Sequence, residues 1–155
     1  MIYSKNTRKI VACILLVLLS LPVSASEMAG KDNFVYIDLQ DRIEGFLYEF
    51  CRSYEQKDLD KFSTLFALNA VEKGEPFTSL HSKYLQNFKR IDSIEYDIKL
   101  ERYATHKETG LVKLEGIFKI SIKLIGSEKW QTNRGKVFMV LEVDGNSFKV
   151  KQLDY

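Results

Sequence analysis

The sequence predicts an α+β domain: three N-terminal helices packed on the concave face of a curved, mainly antiparallel sheet, a cone or half-barrel. Three observations predict it. Apolar residues recur at spacings of three and four from Leu39 to Ile91, and from Ile94 onward they alternate with polar ones. The last two alternating runs are joined by a hairpin turn at Asp144–Gly145–Asn146. Gly116 and Gly135 interrupt strands that glycine weakens, which predicts bends that curl the sheet.

Residues 1–25 read as a cleavable signal peptide. Lys5, Arg8 and Lys9 precede an apolar run of twelve residues, Ile10 to Leu21, followed by Pro22 and by small residues at Val23 and Ala25, so cleavage is expected between Ala25 and Ser26. The run is too short to span a bilayer, which takes roughly twenty residues. Cys13 lies near the start of that run rather than after it, so it is no lipid-attachment site. The expected address is periplasmic or secreted, with membrane contact only through the signal segment.

Of 23 basic and 21 acidic side chains, residues 1–25 hold three basic and no acidic ones, which leaves 20 against 21. A domain with that balance lacks the electrostatic footprint of a nucleic-acid binder. Cys51 is the only cysteine after residue 25, so no internal disulfide is available and the core alone must hold the fold.

Residues 26–37 read as a flexible N-terminal lead, and the domain is expected to run from 38 to 155. Leu39, Ile43, Phe46, Leu47, Phe50 and Tyr54 share one helical face, with Asp38 as N-cap. After a polar joint, Asp58 caps a short helix whose apolar face is Leu59, Phe62, Leu65 and Phe66. Gly74 and Pro76 mark a turn after a short strand, "NAVE". Thr78 or Ser79 then caps a third helix with Leu80, Tyr84, Leu85, Phe88 and Ile91 on its dry side. Strands follow through Ile94–Leu100, Val112–Leu124, Val137–Val143 and the closing "SFKVKQLDY".

An aromatic at the end of the first helix (Tyr54), the pair Lys57–Asp58, a second helix with Phe62 and Phe66, and the final strand–Asp-Gly–strand together resemble the nuclear transport factor 2-like superfamily. That superfamily includes SnoaL-like and ketosteroid isomerase-like proteins, and the chain resembles an exported member over residues 38–155. The stretch "WQTNRGK", Trp130 to Lys136, is similar to a segment of exported members attached to L,D-transpeptidases. The resemblance implies a pocket on the concave side and contact between copies through the outer sheet face.

Strand and helix parity assign that pocket to Tyr54, Phe62, Tyr84, Phe88, Tyr96, Phe118 and Met139, with Arg102 at its mouth if its strand stays regular. Asp154 shares the parity of Phe148 and Val150, and His81 lies on the third helix. These two are the candidate catalytic bases, since isomerase-type members shuttle protons with a carboxylate and cyclase-type members use histidine. Ile117, Phe138, Val140 and Leu153 are apolar on the wet parity, which predicts a homodimer or partner contact there. Two separated histidines and one cysteine make no metal site, and no cofactor is expected. The expected function is an exported, non-catalytic domain that binds a small apolar ligand or an envelope protein. The alternatives are a small isomerase, dehydratase or cyclase, and an accessory domain for a cell-wall-modifying enzyme.

Overall fold

A computed structural model describes residues 38–155. The predicted signal peptide, its cleavage point at Ala25–Ser26 and the N-terminal lead lie outside the described residues. Helix α1 (Leu39–Glu55) is followed by α2 (Leu59–Thr64), β1 (Phe66–Glu72), β2 (Glu75–Pro76), a 3-10 turn (Phe77–Leu80) and α3 (His81–Arg90). Then come β3 (Ile91–Thr105), β4 (Val112–Leu124), β5 (Trp130–Asp144) and β6 (Ser147–Asp154). The six strands form one open sheet in the order β2-β1-β6-β5-β4-β3, antiparallel throughout except for β1 beside β6. This is the α+β arrangement the periodicity predicts.

The joint between α1 and α2 works through two neighbouring residues. Lys57 takes a left-handed backbone (φ 57), which turns the chain, and Asp58 then caps α2 by accepting the Lys61 N–H at 2.9 Å. The Lys57 ammonium reaches across to donate to the Ile91 and Asp92 carbonyls at 2.9 and 3.0 Å. One polar residue thus turns the helical hairpin and ties it to the start of β3.

The core fills the space between α1, α2 and the concave sheet face. Ile43, Phe50, Phe62, Leu114, Met139, Leu141, Phe148 and Val150 are almost entirely buried. At about 25 cal/mol per Å² of apolar surface, such burial is the main source of stability for a domain with no disulfide. Cys51 belongs to the same core, and burial pushes its thiol up to about 12, so it is a packing residue rather than a nucleophile.

The two strand glycines act on a neighbouring strand or side chain. A Cβ at Gly116 would meet the Lys99 carbonyl oxygen at 2.6 Å, and one at Gly135 would meet the Phe118 ring at 2.7 Å. The bulge sits on β3 opposite Gly116: Leu100 pairs with Gly116 but Arg102 already pairs with Glu115, leaving Glu101 extra. A second bulge sits on β6, where Val140 pairs with Gln152 and Leu141 with Val150, leaving Lys151 extra. Both reverse the strand parity beyond them.

Those reversals correct several sequence expectations. Arg102 leaves the pocket mouth for the outer face, where it donates to Glu115 at 2.6 and 2.9 Å. Asp154 likewise turns outward, accepting from the Gln152 amide at 2.7 Å, while Leu153, expected on the outer face, is buried in the core. Phe66 begins β1 instead of ending α2, Ile91 begins β3, and Leu85 is exposed. Of the predicted outer patch, Ile117 is exposed, Phe138 is half-buried and Val140 is buried, all on the convex face.

Candidate ligand site

The C-terminal end of α1 brings Tyr54 to the point where helix, sheet and α3 meet. Its ring stands edge-on to four others: Phe62 at 5.3 Å, Tyr84 at 6.0 Å, Phe88 at 5.1 Å and Tyr96 at 5.5 Å between centroids. Edge-to-face pairing satisfies the quadrupoles of all five rings. The i, i+4 spacing of Phe50 and Tyr54 on α1, and of Tyr84 and Phe88 on α3, puts each pair on one helical face. Period-2 alternation on β3 and β4 supplies Tyr96, Phe118 and Ile120.

These rings leave a cavity of about 80 Å³, lined by Phe50, Tyr54, Phe62, Tyr84, Tyr96, Phe118, Ile120, Leu153 and Tyr155. A neighbouring depression of about 250 Å³ shares Tyr54, Tyr84 and Tyr155 and has Glu72, Lys73, Lys83 and Asn87 on its wall. A third, of about 280 Å³, shares Tyr54 and is bordered by Asn87, Arg90, Ile122, Leu124 and Gln131. Tyr54 is therefore common to an apolar chamber and two polar openings.

Glu72, the last residue of β1, is 5% exposed and holds the site together. Its carboxylate accepts the Tyr84 hydroxyl at 2.6 Å and the Tyr155 hydroxyl at 2.5 Å. Lys73, next in sequence, places its ammonium 3.7 Å from the centre of the Tyr155 ring. Burial, and then the Glu72 charge and its hydrogen bond, push the Tyr84 phenol far above its ordinary value. Burial and the Glu72 bond raise Tyr155, burial raises Tyr96, and Tyr54 is pushed up to about 12 by burial and then by Glu72. All four phenols are neutral donors at physiological pH.

Each phenol has one proton to give. Those of Tyr84 and Tyr155 are committed to Glu72, whereas the Tyr54 and Tyr96 hydroxyls have no hydrogen-bond partner among the described residues. No fully buried side-chain nitrogen or oxygen among those residues lacks a partner, so these two hydroxyls open onto accessible space. The arrangement offers two neutral donors against aromatic walls, beside a carboxylate already engaged by two others.

Of the residues assigned to the pocket from sequence, Tyr54, Phe62, Tyr84, Tyr96 and Phe118 line the chamber. Phe88 packs behind Tyr54, Met139 is fully buried beneath the sheet face, and Arg102 and Asp154 stand outside. His81 lies 3.2 Å from Ser63 Oγ and edge-on to Phe77 at 5.1 Å. Since Ser63 gives its proton to the Leu59 carbonyl at 2.6 Å, the His81 ring nitrogen is the donor to Ser63 and serves the α2–α3 contact. Sequence reasoning passed over Glu72 and Tyr155. The alternation of Ala70 and Glu72 at the end of β1 was the available signal for the first, and the Lys151 bulge concealed the second.

Neither a family model nor a curated protein matches the sequence. Solved structures do match. A nuclear transport factor 2-like superfamily protein from Salmonella enterica aligns with TM-score 0.59 and 11% identity over 73% of this chain and 86% of its own. A scytalone dehydratase-like protein from Novosphingobium aromaticivorans gives 0.65 and 11% over 74% and 80%. The β subunit of benzoate 1,2-dioxygenase from Burkholderia mallei gives 0.60 and 14% over 78% and 91%. At such identities the likeness is one of fold, and the chain has the nuclear transport factor 2-like fold.

Proposed function

We propose that this is an exported binding domain whose tyrosine-lined chamber takes a small, apolar, aromatic-bodied molecule carrying one hydrogen-bond acceptor. The observation that carries the reading is the pair of unpartnered hydroxyls, Tyr54 and Tyr96, facing accessible space among aromatic rings. A mostly apolar wall with a few placed donors is the usual chemistry of a small-molecule site. The chamber alone holds about 80 Å³, so a ligand larger than a single small ring extends past Tyr54 into the adjoining depressions. A panel of neutral phenols and aryl ketones tests this by thermal shift, since a ligand of the native state raises Tm. At least one member should raise Tm in the parent and not in Tyr54→Phe/Tyr96→Phe. A panel with no effect on the parent rejects the reading.

One observation favours a catalytic alternative: Glu72 lies within 2.6 Å of the Tyr84 phenol, a carboxylate in hydrogen-bond reach of a donor beside a cavity. In an isomerase- or dehydratase-type reaction Glu72 would move the proton and the tyrosines would steady the developing oxyanion. The binding reading ranks first because both Glu72 oxygens already accept phenols. Loss of α-deuterium from bound aryl ketones in water, abolished by Glu72→Gln, would reverse that ranking. Export rests on the character of residues 1–25, and a mature chain beginning elsewhere than Ser26 would remove its predicted cleavage point.

A further inference from the structure

The two openings that share Tyr54 differ in charge. The depression of about 250 Å³ sets two ammonium groups, Lys73 and Lys83, against two carboxylates, Glu72 and Glu75, with Lys83 3.5 Å from Glu75. Its charges balance, and a ligand anion there would meet the Glu72 carboxylate, which is shielded from water. The depression of about 280 Å³ is different. Arg90 is the one charged residue among the described residues that line it, and the rest of its wall is Tyr54, two amides and aliphatic side chains.

The acids closest in sequence to that wall are spent or offset. Asp92 is held by Lys123 at 2.6 Å and accepts the Ser93 hydroxyl at 3.0 Å. Glu128 stands in the β4–β5 turn beside Lys129. Lys89 precedes Arg90, and the Lys57 ammonium is anchored on the neighbouring Ile91 carbonyl at 2.9 Å, so this end of the concave side is positive.

The donors around Arg90 are placed and uncommitted. The Arg90 carbonyl accepts the Ile125 N–H at 3.0 Å, which fixes the end of α3 against the β4–β5 turn. Register sets Gln131 opposite Ile122, whose side chain packs on the core, so Gln131 belongs to the concave face. The Arg90 guanidinium and the Asn87 and Gln131 amides make no ion pair or side-chain hydrogen bond among the described residues. A guanidinium is a planar fork of donors that matches the two oxygens of a carboxylate, and each amide adds an NH2 group. Ile122 and Leu124 give the depression an apolar floor.

We infer that this depression is the acid end of the tyrosine site: its ligand is an aromatic carboxylic acid whose ring lies in the chamber by Tyr54 and Tyr96 and whose carboxylate is held by Arg90, with Asn87 and Gln131 beside it. The inference rests on the reading of the chamber as a ligand site and adds the ligand's charge and its orientation, with the acid directed away from Glu72. Arg90 is then the residue that sets specificity for an acid over its neutral analogue.

Titration calorimetry on the full chain with benzoate, phenylacetate and phenylpropionate, each beside its primary amide, compares one shape with and without charge. At least one acid should bind about tenfold more tightly than its amide, the worth of a hydrogen bond to a charged group, and salt should shrink the preference. In Arg90→Gln the ratio of acid to amide affinity should fall to near unity. Arg90→Lys keeps the charge without the fork and should retain part of the preference. Residues 1–25 carry three cations of their own, but they are identical in every protein compared and cannot lower the ratio when Arg90 changes. Unchanged far-ultraviolet circular dichroism shows that both variants are folded. Equal affinity for acid and amide in the parent overturns the inference, as does a preference that survives Arg90→Gln, and in either case amide binding leaves the chamber reading standing. Binding of neither acid nor amide rejects both. Acetate bound as tightly as the aryl acids overturns the inference in favour of a site for free anions.

Discussion

The two ends of α1 are built from similar rings and behave as different materials. At the N-terminal end, Ile43, Phe46 and Leu47 share a buried cluster with Phe148, Leu141 and Val150, with Phe46 edge-on to Phe148 at 5.9 Å, and nothing there needs a hydrogen bond. At the C-terminal end, Tyr54 meets Tyr84, Tyr96 and Tyr155 around a buried carboxylate. A hydroxyl on each ring turns a dry core into a site, because every buried phenol needs a partner and every unpartnered one needs open space. Apolar packing tolerates many arrangements of its rings. The polar end admits few.

The largest expected effect separates these ends by pH. Cys51 rises from 9.0 to about 12 on folding and Tyr54 from 10.0 to about 12, while Tyr84, Tyr96 and Tyr155 are also raised. A raised folded value means the stability is fully present below the unfolded value and is lost as pH climbs toward the folded one. Stability should hold flat up to pH 9 and fall steeply through 10 to 12. Urea midpoints across that range, with phenolate absorbance as a second probe, check it. Free titration of all eight tyrosines in the folded protein would dissolve the contrast.

Next in size is Phe46→Ala at the apolar end, expected to cost about 3–5 kcal/mol for a cavity between Phe50 and Phe148. Tyr84→Phe at the polar end keeps the ring and removes one hydrogen bond to Glu72, for about 1.5–3 kcal/mol. If chemical denaturation ranks them in reverse, the carboxylate cluster rather than the apolar end is the keystone of the fold. The smallest is Asp58→Ala. It removes the α2 cap for about 1 kcal/mol, and a larger loss in urea would mean the α1–α2 joint also governs how Tyr54 is placed.

The sequence was most legible where structure is local. The change of apolar spacing from helical to alternating located the helices and long strands, because side-chain direction depends only on the backbone within a few residues. The inward placement of Tyr54, Tyr84 and Tyr96, which line the chamber, was legible for the same reason. Arg102 and Asp154 were misplaced because one extra residue, Glu101 or Lys151, inverts every side chain beyond it, and a bulge is chosen by the partner strand. Gly116 hinted at the first bulge by vacating the space that Lys99 O occupies, but the extra residue lay across the ladder from it.

By itself, then, the sequence determined an α+β chain with helices before strands, an aromatic face on each helix, and a near balance of basic and acidic side chains after residue 25. Only the tertiary structure decided that Tyr155 donates its hydroxyl proton to Glu72, 83 positions away, and that the Tyr54 and Tyr96 hydroxyls have no partner among the described residues. Periodicity is read from neighbours in the chain. A carboxylate's partners are whatever the fold brings within three ångströms, and here β1, α3 and the end of β6 arrive there together.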